Sequence, residues 1–235
     1  TLEKNHEDLQ KLRNLTFLPV LQKPSRWKFT WKGQTEKHVI AKTCNTKHSP
    51  KRIRLDSPAN LFRQCTEKLV GCVELIWDEM SIIAAEASIQ PLHISKLLRL
   101  KGSIKNDVPF KTVFKQLITI AREYNSKQSE DVNDSCKAIC GEIYSFLDKI
   151  CERSDDITKA SINNLSKEEI LLLGEQMIDS SRVAFNLRHS CSPELFGLHG
   201  TDLEKHKYFL KTIGIKDNFE VGCIVKVLGH KRRQT

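Results

Sequence analysis

"SPANLFRQCTEKLVGCVELIWDEM", residues 57–80, decides how the rest of the chain is read. Ser57 can cap a helix, and Pro58 suits a first helical position, where its missing N–H costs nothing. Behind them Phe62, Cys65, Leu69, Cys72, Ile76 and Met80 recur at spacings of three and four, and Ile83 and Ala87 carry the stripe onward. That period predicts a long amphipathic helix, closed at Gln90-Pro91.

Downstream the same period returns between short breaks. Leu92, Leu97, Leu98 and Leu100 suggest a short helix before Gly102. Asp107 and Pro109 open another, with Phe110, Val113, Phe114, Leu117, Ile118 and Ala121 facing inward. From about Ser129, a further stripe runs through Val132, Cys136, Ile139, Cys140, Ile143, Leu147 and Ile150. Ser166 and Glu169 form a capping-box pattern, which predicts a helix through "ILLLGEQMI" to about Arg188. Thr201 and Glu204 repeat the pattern, and Gly214 is placed to end that helix. "FEVGCIVKVLG" is rich in valine but reads as helix between Asp217 and Gly229. The expected fold class is all-α, an irregular bundle of six or seven helices over residues 57–229 that folds without what precedes it. A basic, mostly non-helical arm (1–56) and a basic tail (230–235) flank it.

Charge is distributed to match. Residues 1–58 hold 13 Lys and Arg against 5 Asp and Glu, whereas the whole chain carries +9. A basic arm of this kind attracts acidic partners such as nucleic acid through phosphate neutralisation, or simply keeps a linker solvated. The chain begins at Thr1 and contains 2 methionines, which reads as a segment of a larger protein. No apolar run approaches the roughly 18–20 residues that span a bilayer, so no membrane partner is expected. Of the 8 cysteines, Cys65 and Cys72 share one helical stripe and Cys136, Cys140 and Cys151 another, which reads as buried core rather than a disulfide framework. Cys65, Cys72, Cys136 and Cys140 should be reduced and buried, in a reducing compartment, against the sequons at Asn14 and Asn164.

Within the arm, "RWKFTWKG" alternates Trp27, Phe29 and Trp31 with Lys28, Thr30 and Lys32. An extended chain puts the three aromatics on one face and the lysines on the other. Three uses fit: bases stack on the rings while Lys28 and Lys32 meet phosphate; the strip docks on a partner's sheet edge or groove; or the rings close over the body as core, as the cost of leaving tryptophan in water favours.

"SPKRIRLDSP", residues 49–58, packs several regulatory patterns together. Lys51-Arg52-Ile53-Arg54 resembles a single-cluster nuclear localisation signal, and Ser49-Pro50-Lys51-Arg52 resembles a cyclin-dependent kinase site. Arg52, Leu55 and Asn60 fall at the defining positions of a destruction box. Ser57-Pro58, by contrast, is explained as a helix cap.

No catalytic signature is present: no G-x-S-x-G, no phosphate-cradling glycine loop, no H-E-x-x-H. His38, Cys44 and His48, and again His189, Cys191, His199 and His206, cluster in sequence without zinc-finger spacing, so neither metal nor cofactor is expected. The resulting expectation is a non-catalytic protein-interaction (scaffold) domain of a larger eukaryotic nuclear protein. It would hold other nuclear proteins together in chromatin, cell-cycle or genome-maintenance work. The alternative is a nucleic-acid-binding module that uses the basic arm and the aromatic strip.

Overall fold

Trp31 shows how the first half of the chain folds. Its ring is wholly buried, and its Nε1–H donates to the Leu21 carbonyl at 3.1 Å. Trp27 meets it edge-on at 4.8 Å between ring centroids. Of the three uses open to the strip, it takes the third and lies in a core. The computed structural model describes residues 10–23, 27–34, 54–79, 103–127, 130–165, 167–187 and 195–220, together with positions 222 and 225. They belong to two compact units, divided between Thr119 and Ile120.

In the first unit, β1 (Leu18–Pro19) pairs antiparallel with β2 (Leu55–Asp56), and β3 (Leu61–Phe62) pairs parallel with β4 (Leu75–Ile76). Single bridges from Val20 to Trp77 and from Phe62 to Lys105 extend these ladders. Leu18, Val20, Leu61, Leu75, Trp77 and Ile104 form one buried cluster. The expected long helix shrinks here to α1 (Glu67–Val70), preceded by a 3-10 turn over Gln64–Thr66. The reason lies in residues that the helical stripe leaves out. Leu61, Leu75 and Trp77 sit beside the stripe, where a helix would expose them, and all three are buried. Short extended pairs bury both faces, and each large apolar side chain so buried contributes ~1.5–3 kcal/mol. Cys65, placed on the stripe, is exposed, whereas Cys72 is buried.

The turn after β2 is organised by Asp56 rather than by Ser57. Its Oδ1 accepts from the Ser57 N–H and from the Asn60 side chain, both at 2.8 Å, so Pro58–Asn60 closes as a 3-10 turn. Gln116, fully buried, serves α1 from a distance. Its side-chain oxygen accepts from Cys72 N at 2.8 Å, and its nitrogen donates to the Lys68 carbonyl at 2.9 Å.

The boundary between the units falls within α2 (Phe110–Ser126), which forms where the sequence placed it, with Val113, Phe114, Leu117 and Ala121 buried. In the second unit, α3 (Glu130–Arg153) buries Val132, Cys136, Ile139, Cys140, Ile143 and Leu147, as its stripe requires. Asp155 caps α4 (Asp156–Leu165) by accepting from Thr158 N at 2.9 Å, and these bonds hold its carboxyl below the usual range.

The helix expected over "ILLLGEQMI" is a hairpin instead. Antiparallel β5 (Leu171–Leu173) and β6 (Gln176–Ile178) are joined by Gly174 and Glu175, with Gly174 at φ +61°. A positive φ suits glycine and makes the two-residue turn. Further on, β7 (Val183–Ala184) pairs parallel with β8 (Phe196–Gly197), and Ala184 also bridges to Lys216. The second capping-box segment opens as a 3-10 turn (Asp202–Lys205), breaks at His206 and continues as α5 (Lys207–Thr212). Gly214 then ends it at φ +88°.

The fold class is therefore mixed rather than the all-α bundle expected, since four two-stranded sheets lie among the described residues. Residues 80–102 and most of 221–235, where further helices were expected, lie outside the described residues.

Candidate functional site

The strip keeps its period of two. Trp27, Phe29 and Trp31 face inward and are buried, while Lys28 and Thr30 are exposed and Lys32 is half-buried. The three rings are enclosed by the first unit, so bases have no aromatic face to stack on there. Arg54, read as the last residue of a basic cluster, is 8 % exposed and pairs with Asp56 at 3.2 Å. Its carbonyl accepts from Val20 N at 2.8 Å, and Leu55 beside it is half-buried in β2. Asn60 is held by Asp56, which ties up the third destruction-box position. Ser49, Lys51 and Arg52 lie outside the described residues. So do His38, Cys44, His48, His189 and Cys191, and no metal-ligating group of three is present among the described residues.

What the fold assembles is a cleft of about 650 Å³ in the second unit. One face of α3 supplies Lys137, Cys140, Gly141 and Tyr144, at the three- and four-residue spacings that put side chains in one row. The β5–β6 hairpin supplies Leu172, Leu173, Gly174 and Glu175. The segment entering α5 supplies Gly200 to Leu203, Lys205 and His206.

Much of this wall is fastened. The Tyr144 hydroxyl donates to the Ile170 carbonyl at 2.7 Å and accepts from Leu172 N at 3.0 Å, locking α3 to the hairpin. Burial pushes that phenol well up, so it stays protonated. Asp148 on α3 accepts from Phe209 N at 2.9 Å, and the Phe209 ring stacks on Tyr144. Thr201 donates to the Leu198 carbonyl at 2.7 Å, and Glu204 accepts from Gly200 N at 2.9 Å. Cys140 lies 3.7 Å from Cys136, sulfur to sulfur. Their hydrogen bond, and then burial, pushes the Cys136 thiol far up.

Four charged side chains on the cleft, Lys137, Glu175, Asp202 and Lys205, make no hydrogen bond or ion pair with a described residue. His206 is 4 % exposed, lies 6.0 Å from the Tyr144 ring, and its imidazole is hydrogen-bonded by no described residue. Burial holds its pKa down, with Lys205 in the same sense and Asp148 and Asp202 opposing. At neutral pH the ring is uncharged, with one nitrogen donating and the other accepting.

Sequence reasoning picked out none of the cleft except His206, as one of a group of histidines. The available signal was Gly141, a glycine in the middle of a long apolar-striped helix. No family model, curated protein or solved structure matches the chain.

Proposed function

We propose that the chain is a non-catalytic protein-interaction module of a nuclear protein, holding partners together in chromatin, cell-cycle or genome-maintenance work. The observation that carries this reading is the second-unit cleft, lined by charges of both signs that pair with nothing among the described residues. Its reactive groups are poorly arranged for chemistry. Cys140 is partnered by another thiol, Thr201 donates to a backbone carbonyl, and the Tyr144 hydroxyl is engaged twice. The nuclear part rests on the sequence alone, on Lys51 and Arg52 with the lysines upstream. The second reading, nucleic-acid binding, draws on the basic first 58 residues, and burial of Trp27, Phe29 and Trp31 takes away its stacking surface.

Cross-linking in intact nuclei followed by mass spectrometry tests the proposal. Proteins joined to the second unit are the expected outcome. Cross-links to nucleic acid alone, abolished as salt rises, would assign the chain to the other class.

A further inference from the structure

We propose that the second-unit cleft is a peptide-binding site, and that its occupant is a short extended segment of a partner protein carrying one acidic and one basic side chain. This rests on the reading of the chain as a protein-interaction module. Three features of the cleft point the same way.

His206 is a polar side chain almost wholly buried on the cleft wall, with no hydrogen bond from a described residue. Its ring nitrogens still reach solvent, so a ligand bound there meets one donor and one acceptor in place of water. A peptide main chain offers both along its length.

Gly141 is the second feature. It sits inside a 24-residue helix, where glycine is a poorer choice than alanine. A Cβ built there meets no described atom within 4 Å, so packing within the chain does not call for glycine. Close approach of another backbone to the helix does.

The third is charge. Lys137 and Lys205 against Glu175 and Asp202 make the lining electrically balanced. A phosphate or a polyanion would meet two carboxylates as well as two ammonium groups. A segment with one charge of each sign matches both pairs. At about 650 Å³ the cleft lies within the size range of ligand-binding sites.

The test pans a phage-displayed random dodecapeptide library on the full chain, then measures synthetic versions of the enriched peptides by fluorescence polarisation. Peptides bearing an acidic and a basic residue are expected, binding wild type at least tenfold more tightly than Gly141→Leu. That variant projects a side chain into the open cleft and should melt no lower than wild type. The double variant Lys137→Glu, Lys205→Glu gives an independent reading, because both positions are exposed, and it too should weaken binding at least tenfold. The assignment is overturned if no peptide is enriched over empty matrix, or if enriched peptides bind both variants as they bind wild type. If nuclear partners stay cross-linked to Gly141→Leu, the interaction reading survives and the cleft assignment alone falls. If wild type captures neither peptides nor partners, both fall.

Discussion

At Gly71 a single hydrogen atom decides whether Trp31 fits. A Cβ there would lie 2.4 Å from the Trp31 ring and 2.6 Å from the Glu67 carbonyl. Its φ of −64° is open to any residue, so the requirement is close approach and not backbone conformation. Gly71→Ala should therefore destabilise the first unit by about 1–3 kcal/mol, the usual penalty of overpacking. Trp31→Ala should cost about 3–5 kcal/mol through the cavity it leaves. Urea titration of both, and of Gly71→Ala combined with Trp31→Phe, checks the contact, since the smaller ring should recover part of the loss. His206 makes a pH-dependent prediction of definite sign. Its pKa is lowered in the folded chain, so below the ordinary value of 6.5 the unfolded chain binds the extra proton more readily. Its contribution is complete above that value and is lost as pH falls, with Asp148 and Asp202 softening the loss without reversing it. Thermal melts between pH 7.5 and 5 should show a shallower decline for His206→Phe than for wild type. Arg54, buried against Asp56, should behave as a structural residue, and Arg54→Ala should lower stability. In fusions too large to diffuse through nuclear pores, Lys51→Ala with Arg52→Ala should alter import.

Glycine has opposite meanings in two elements of the second unit. Within α3, Gly141 carries helical backbone beside open space, so Gly141→Ala should raise stability by about 0.5–1 kcal/mol. In the β5–β6 turn, Gly174 stands at φ +61°, and Gly174→Ala should lower stability by about 1 kcal/mol. Differential scanning calorimetry of the two variants side by side checks the pair of signs. The same hairpin shows why element type was only partly legible. Ile170, Leu173 and Met177 fall at helical spacing, while Leu171, Leu173 and Ile178 fall on alternate positions of two strands, because the segment is short and rich in apolar residues. What settles it is Tyr144 of α3, whose hydroxyl takes Ile170 O and Leu172 N and so fixes the strand. Nothing local announces that partner, 26 residues away from Ile170.

On the scale of the whole molecule, residues before position 35 belong to the core of the first unit. Leu18, Val20, Trp27, Phe29 and Trp31 are buried there, and β1 pairs with β2 and bridges to Trp77. Deleting residues 1–34 should therefore unfold the first unit rather than free a body from its arm. Hydrogen exchange should show protection lost over residues 61–77, while α3 stays protected through its own contacts with α5 and the hairpin. If 61–77 remain protected in the deletion, the arm reading returns.

Sequence by itself determined α2 and α3, because long stripes of period 3.6 have one economical solution: bury that face. It also determined the inward and outward alternation of residues 27–31, a property of extended backbone whatever it packs against. Tertiary structure alone decided where that alternating face goes, and whether residues 57–79 coil or extend. Those choices depend on Leu61, Leu75 and Trp77 finding Leu18 and Val20 across some forty intervening residues or more, a non-local contact that no window of sequence contains. The cleft is non-local for the same reason: it is made from α3, a hairpin turn and the start of α5, each unremarkable alone until Tyr144 and Asp148 fasten them together.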